Sequence, residues 1–326
     1  MSQHSRRSLL TGALTIPFAS AARAQAPGWP AGQTIKITVP FAPGGSVDTM
    51  ARLTQPGLHS RLGAVVIVEN RAGAGGATGA AAVAKAPPDG GNWLYVFDSH
   101  AVLPSLMALN FDAKKDLDPV MLVGTAPMVV ACHPSRPYKT FADVVAAAKA
   151  KPDSISYGTV GNGSLGHLSM ILLGKKGGFV VRHLPYRGGG PAVNDAVAGH
   201  IDLIIGSAAL LAAQITAGTL RPLLQTGSQR LANLPETATA KEAGFADFEA
   251  LAWWGVFATA HTPKPIQERF FRELDATFRD AAVSKTLIDT QQINLLRRGP
   301  EEFRKLFEDQ MNIWGAVVKE NDIKPD

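Results

Sequence analysis

Along this chain, short apolar segments that resemble strands alternate with longer segments that have helical periodicity. Ile35 to Phe41 alternates like a strand, and Val47 to Leu62 then carries apolar residues at helical spacing. The pattern continues through segments 65–69, 72–86, 93–97, 121–123, 128–131, 141–150, 155–157, 164–174, 180–185, 192–198, 201–205, 262–280 and 300–319. Strands that alternate with helices predict an α/β fold with mainly parallel sheets.

Residues 1–24 have the three parts of a secretory signal peptide. Arg6 and Arg7 make a short positive start, residues 8–21 are apolar and uncharged, and Ala22-Arg23-Ala24 fits a cleavage site. The apolar run is shorter than the roughly 20 residues that span a bilayer. We therefore expect export and cleavage after residue 24. The twin arginine leaves open either the ordinary secretion route or the route for folded proteins.

Charge and cysteine content narrow the classes of function. Loss of residues 1–24 removes three arginines and no acid, so the formal net charge falls from +5 to +2. A nearly neutral chain without a run of Lys and Arg predicts no nucleic-acid partner. The single cysteine, Cys132, cannot form an intrachain disulfide and lies in the apolar run 128–132, which predicts a buried thiol. About 300 residues without disulfides are typical of two domains held by their cores.

Three predicted junctions from strand to helix are rich in glycine and hydroxyl groups. They are residues 40–48, 157–167 and 185–191. Glycine lets the backbone approach a ligand, and the first N–H groups of a helix, with its dipole, attract anions. Each loop alone is equally well explained by turn chemistry, with Ser46 and Ser164 as N-caps. Three such loops together favour one shared anion-binding cleft beyond the carboxyl ends of the strands.

Other motifs are incomplete. The segment 73–79 has Thr78 where a dinucleotide-binding fingerprint needs its third glycine. We find no P-loop, no G-x-S-x-G nucleophile elbow and no paired His or Cys with metal-ligand spacing, so we predict no cofactor and no structural zinc. His167 is compatible with a triad that includes Asp48 or Asp202, although a packing role is favoured because no motif supports catalysis.

Two further features have competing interpretations. Arg187 is suited to clamp a carboxylate and equally suited to be a solvated loop residue. The pair Trp253-Trp254 lies in an apolar run, where a core position is favoured over a stacking platform for a ligand.

Several of these segments resemble one known family. The opening loop is Val39-Pro40-Phe41-Ala42-Pro43-Gly44-Gly45-Ser46-Val47-Asp48. It is similar to the corresponding loop of the substrate-binding proteins of tripartite tricarboxylate transporters, the TctC or Bug family. Further similar segments follow in the family's order at 68–76, 84–90, 157–164 with His167, 184–189, 234–236, 242–244 and 254–258. The resemblance covers essentially all of the chain after residue 24.

The resemblance implies a two-lobed periplasmic-binding-protein fold, type II-like, with a ligand cleft between the lobes. Each lobe is expected to be a mainly parallel sheet flanked by helices. We place the crossings near Val129 and Ala252, so lobe 1 comprises residues 27–128 plus 253–326 and lobe 2 comprises residues 129–252. The family further implies a monomeric periplasmic protein that is not an enzyme and that delivers a small organic carboxylate to membrane permease subunits.

The resemblance also implies a set of ligand-binding residues. They are Phe41, Ala42, Gly44, Gly45, Ser46, Asp48, Ser99, His100, Thr159, Gly163, Ser164, His167, Tyr186 and Gly189. One departure is Ile205-Gly206-Ser207, where many relatives carry a Phe-Asp pair. We therefore expect a carboxylate without an α-amino group, either aromatic or dicarboxylic. A sensor or scavenger protein, and a secreted hydrolase that uses Ser164 and His167, are the alternative functions.

Overall fold

A computed structural model describes residues 28–325, so the predicted signal peptide lies outside the described residues. The strands in this range are β1 (Ile35–Val39), β2 (Val66–Asn70), β3 (Asn92–Phe97), β4 (Leu117–Cys132), β5 (Ser156–Thr159), β6 (Arg182–Pro185), β7 (Leu203–Ser207), β8 (Arg221–Gln225), β9 (Leu251–Thr259) and β10 (Asn294–Arg298). The helices are α1 (Ser46–Leu62), α2 (Ala77–Ala84), α3 (Leu103–Leu106), α4 (Phe141–Ala150), α5 (Leu165–Gly177), α6 (Gly189–Val197), α7 (Ala208–Thr216), α8 (Lys264–Phe278), α9 (Ala281–Lys285) and α10 (Pro300–Glu320).

The strands form one continuous sheet in the order β2-β1-β3-β9-β4-β7-β5-β6, and β8 and β10 also pair with β4. The outer pairs β1–β2, β1–β3, β5–β6 and β5–β7 are parallel. The pairs made by β4 and β9 are antiparallel. The predicted α/β class is confirmed: parallel strands with helical connections lie on each side of an antiparallel centre.

Strand β4 belongs to both halves of the sheet. Its first part, from Leu117 to Pro127, pairs with β9. Its last part, from Met128 to Cys132, pairs with β7 and β8. The sequence predicted two separate strands here, at 121–123 and 128–131. The structure joins them because residues 124–127 remain extended and paired with β9.

Helix α1 shows how local chemistry sets an element. It follows Gly45 and ends at Gly63, whose φ of 64° lies in the left-handed region and whose N–H donates to the carbonyl of His59. Glycine suits that position because it has no Cβ to clash there. The apolar positions Met50 and Leu58 are fully buried, so one face of the helix covers the sheet.

Aromatic side chains fill the core beside β3 and β9. Trp93 stacks on Phe270 of α8 with ring centroids 3.6 Å apart. Trp253 meets Phe303 of α10 edge to face. Trp253 and Trp254 are each only 1% exposed, and the packing of Trp253 against α10 confirms its predicted core position. Burial of this much aromatic surface contributes strongly to stability.

Cys132 lies at the end of β4 and is 1% exposed, which confirms the predicted buried thiol. Burial raises the pKa of this thiol, so it remains protonated and unreactive at neutral pH.

Within residues 28–325, every helix is too short or too polar to cross a bilayer. The same range holds no group of three or more His, Cys, Asp or Glu side chains arranged to bind a metal ion.

Candidate functional site

Four helices begin around one small cavity with a volume of about 30 Å³. One wall is the β1–α1 loop, and the opposite wall is made of residues that start α5, α6 and α7. The lining residues at these helix starts are Gly45, Ser46, Leu165, Gly166, Gly189 and Ser207. The first N–H groups of a helix have no intrahelical partner, and each helix start carries about half a positive charge. The cavity is therefore an electropositive pocket made of backbone.

The rest of the lining is largely apolar. Its larger side chains are Phe41, Phe97, Met128, Leu210 and Trp254. No Lys or Arg contributes to the lining among the residues that the structure describes. An anion held here would meet backbone amides and helix ends instead of a salt bridge, as at other anion sites of this kind. The apolar walls lower the local dielectric and strengthen those interactions.

Asp48 holds the first loop in shape. Its carboxylate accepts hydrogen bonds from the Gly44 N–H at 3.0 Å, from Arg52 Nε at 3.0 Å and from Asn70 Nδ2 at 2.9 Å. Burial by itself would raise the pKa of Asp48, but these bonds outweigh it and hold the pKa below its usual value. Trp254 Nε1 donates to Ser46 Oγ at 3.1 Å, which ties the loop to β9.

The start of α5 is fixed by two neighbouring side chains. Ser164 Oγ accepts the N–H of His167 at 3.4 Å, so this hydroxyl is an N-cap. The Gly163 N–H donates to His167 Nδ1 at 3.1 Å. Ser207 Oγ makes the equivalent cap for α7 by accepting the N–H of Leu210 at 3.2 Å. These caps fix the position of the two helix starts, where first-turn N–H groups have no intrahelical partner.

A histidine in the first turn of α5 stacks on a histidine of β6. The rings of His167 and His183 stack with centroids 3.9 Å apart, and His183 Nε2 lies 2.7 Å from Thr159 Oγ1. Burial lowers the pKa of His167 to about 4. Burial, together with the neighbouring His167, lowers the pKa of His183 to about 3. Both rings are therefore neutral at neutral pH, and the geometry of His167 matches the packing role that the sequence favoured over catalysis.

The loop between β6 and α6 touches the first loop directly. The Ala42 N–H donates to the carbonyl of Arg187 at 3.4 Å. A Cβ added to Gly188 would lie 3.2 Å from the nitrogen of Ala42, and one added to Gly190 would lie 2.5 Å from the carbonyl oxygen of Pro43. The loops can approach this closely because these positions have no side chain. The cavity is thus closed on this side by backbone contact.

The structure brings six of the predicted ligand residues to the cavity wall. They are Phe41, Ala42, Gly45, Ser46, Asp48 and Gly189. Five others lie one layer behind the wall, where they shape the loops through backbone turns and caps: Gly44, Thr159, Gly163, Ser164 and His167.

The remaining three predicted residues neither line the cavity nor shape its loops in this way. Tyr186 donates its hydroxyl to Asp195 Oδ2 at 2.6 Å, and burial together with this bond raises its pKa to about 12. His100 packs among aromatic rings, 5.2 Å from Phe257 and 5.4 Å from Phe307, and burial lowers its pKa to about 4. Ser99 is buried beside it and outside the lining. The turn Asp98–Ala101 directs these two residues into the core.

The sequence suggested Arg187 either as a clamp for a carboxylate or as a solvated loop residue. Its side chain is exposed and does not line the cavity. Sequence reasoning also missed several lining residues, most notably Asp98, Phe97, Ser207 and Trp254. Asp98 directly follows β3 and Ser207 is the last residue of β7, and a position at a strand end is the same signal that identified the three glycine loops. That signal marks the strand ends, but it does not show which of the residues there are buried against the cavity.

Comparisons with known proteins identify the family of this chain. Residues 50–323 match the family model of the tripartite tricarboxylate transporter family receptor, TctC. The chain belongs to this family. The predicted resemblance is therefore confirmed, and it extends over most of the described residues.

Three solved structures of similar proteins share the fold. The periplasmic binding protein BugD is 28% identical with a TM-score of 0.85, over 90% of this chain and 99% of BugD. R. palustris Rpa4515 with adipate is 27% identical with a TM-score of 0.86, over 91% of this chain and 100% of the other. MatC from Rhodopseudomonas palustris with bound malate is 28% identical with a TM-score of 0.82, over 88% of this chain and 99% of MatC.

Proposed function

We propose that this protein captures a small organic carboxylate in the cavity between its two halves and delivers it to a tripartite transporter. The observation that carries the proposal is the convergence of four helix N-termini on one buried, largely apolar cavity. Such a cavity offers several N–H donors to an anion and no positively charged side chain. Adipate and malate, the carboxylates bound by two family members of the same fold, support this chemistry.

The proposal includes a hinge. Lobe 1 (residues 27–128 plus 253–326) and lobe 2 (residues 129–252) would be joined by the crossing strand β4 and by the chain that enters β9. A ligand that contacts Ser46 on one side and Gly189 on the other favours the closed form, because only that form offers both sets of contacts. The direct contact between the first and third loops supports this interpretation.

The cellular role follows from the family. We infer a monomer in the periplasm, exported by a signal peptide at residues 1–24, whose closed form is recognised by membrane permease subunits. A sensor or scavenger role uses the same cavity, and gene neighbourhood distinguishes the two: adjacent permease genes support transport, and an adjacent sensor kinase gene supports sensing.

We infer binding without catalysis. The alternative of a hydrolase requires the Ser164 hydroxyl to donate to the His167 ring. Instead, Ser164 Oγ accepts the backbone N–H of His167, and His167 Nδ1 accepts the N–H of Gly163. Neither side chain belongs to the cavity lining. This geometry gives no support to a nucleophile–base pair.

Thermal unfolding against a panel of mono-, di- and tricarboxylates, aromatic acids and amino acids tests the proposal. The purified protein is first unfolded in denaturant and refolded, and mass spectrometry of the denatured sample identifies any solute that was bound. A ligand at about a hundredfold excess over its Kd adds about 2.7 kcal/mol to the free energy of unfolding. A shift confined to one class of acid supports the proposal. A refolded protein that responds to no acid, and that released no acid when denatured, contradicts it.

A further inference from the structure

A buried acid in the cavity wall has one carboxylate oxygen without a hydrogen-bond partner. Asp98 follows β3 directly, is 2% exposed and lines the cavity. Its Oδ1 is fully buried and accepts no hydrogen bond from any residue that the structure describes. Buried polar atoms are almost always paired, and an unpaired acceptor is costly, so this atom calls for a functional explanation.

The surroundings of Asp98 contain no side chain that would neutralise it. Asp48, the other acid in the lining, is already bound to Gly44, Arg52 and Asn70. The described lining contains no Lys or Arg. His100, on the same turn, packs among Phe111, Phe257 and Phe307.

The α5 side of the cavity offers Asp98 only backbone groups and neutral rings. Burial raises the pKa of Asp98 to about 8, although backbone amides, those of Leu165 and Trp253 among them, favour the ionised form. His167 and His183 stack behind the start of α5 and are neutral at neutral pH. A partner for the unpaired Oδ1 of Asp98 therefore comes from the ligand or from a bound proton.

The division of donors and acceptors in the cavity points to the kind of ligand. The helix starts supply N–H donors, which suit a carboxylate, whereas Asp98 supplies an acceptor, which suits a donor group. We propose that Asp98 is the specificity-determining residue of this cavity and that it accepts a hydrogen bond from a hydroxyl or ammonium group carried by the carboxylate ligand. This inference rests on the proposed function and narrows it to hydroxy acids and amino acids.

The inference revises one expectation from the sequence. A ligand without an α-amino group was expected because Ile205-Gly206-Ser207 lacks the acid that many relatives carry. Asp98 supplies an acid from the opposite side of the cavity, at the end of β3. The cavity therefore does hold a group that can receive an ammonium.

Two matched series of ligands test the inference by isothermal titration calorimetry with the refolded protein. One series is propanoate, lactate and alanine, and the other is succinate, malate and aspartate. Within each series only the substituent beside the carboxylate changes. In at least one series, we expect the member with a hydroxyl or an ammonium group to bind at least about tenfold more tightly than the unsubstituted acid. A tenfold difference in Kd is about 1.4 kcal/mol of binding free energy.

Variants then assign the preference to Asp98. Asp98→Leu removes the acceptor and should abolish the preference while unsubstituted acids still bind. Asp98→Asn keeps an acceptor without the charge and nearly the same shape, so it should retain part of the preference for a hydroxyl and lose a preference for an ammonium. Asp309→Asn, at an exposed acid paired with Lys305 on α10, is the matched control and should bind like the unmodified protein.

The outcomes separate this inference from the proposed function. Unsubstituted acids that bind as tightly as their substituted partners, or a preference that survives in Asp98→Leu, overturn the role of Asp98 alone. If Asp98→Leu does not fold, the comparison within each series and the Asp98→Asn variant still decide the question. A refolded protein that binds none of the six acids and none of the wider panel overturns both conclusions together.

Discussion

Gly190→Ala should weaken ligand binding because it separates the two loops that close the cavity. Gly190 is the second residue of α6, and its backbone faces the carbonyl of Pro43 in the β1–α1 loop. The φ angle of Gly190 is outside the left-handed range, so alanine itself meets no strain of that kind there. The effect therefore arises from the added methyl group and its contact across the cleft.

The structure sets the size of the effect. The new Cβ would lie 2.5 Å from the Pro43 oxygen, whereas ordinary contacts begin near 3.4 Å. The loops must therefore move apart by nearly 1 Å, because the Pro43 oxygen is a backbone atom and the Cβ is fixed to the backbone of residue 190. Overpacking of this kind costs about 1–3 kcal/mol. If the cost falls on the closed form, the Kd should rise roughly 5- to 150-fold.

Calorimetry with the acid that binds best measures this change, and the melting temperature of the ligand-free protein checks the fold. Gly299→Ala is the matched control, because Gly299 also precedes a proline at a helix start and its Cβ would meet nothing within 4 Å. We expect the control to keep the original affinity. An unchanged affinity in Gly190→Ala, with the fold intact, would refute the view that contact between these loops closes the site.

Two further predictions concern stability. The pKa of Asp98 is about 8 in the folded state and about 3.9 in the unfolded state. At a pH between these two values, Asp98 is protonated in the folded protein and ionised in the unfolded chain. The free energy of unfolding of the unmodified protein, relative to that of Asp98→Asn, should therefore fall as pH rises from about 4 to 8. Urea unfolding of both proteins across this pH range measures the difference. A difference in free energy that does not change with pH would contradict the raised pKa. Ser164→Ala should lower the free energy of unfolding by about 1 kcal/mol because it removes the cap of α5, and an unchanged urea midpoint would rule out that capping role.

Local patterns in the sequence were sufficient to predict most helices and the glycine loops. The start of α1 after Gly45 and the start of α5 after Ser164 follow from turn and capping chemistry within a few residues. The α/β class follows from the alternation of these elements. These features depend on neighbours along the chain, and such neighbours are visible in the sequence.

Features that depend on distant partners were missed. The apolar run at β9 was interpreted only as core, because its pairing with β3 and β4 joins segments more than a hundred residues apart. The sequence also predicted two strands in place of β4, because residues 124–127 are held extended by pairing with the distant strand β9. Asp98 was missed because its importance lies in burial and in the absence of a partner, and both are properties of the assembled cavity. Sequence motifs therefore located the cavity but not the polar group that we propose sets its selectivity.

The position of β9 in the sheet bears on how the chain must assemble. It lies between β3 and β4, yet it is made only after all of residues 129–250. Until it arrives, β3 is paired only with β1 and the first part of β4 lacks its partner, so the edges of both strands that face β9 stay open. A chain that stopped before Leu251 would thus carry two unpaired strand edges, which are sites for aggregation. During synthesis, the first half of the sheet therefore cannot be completed until residues 129–250 have been made.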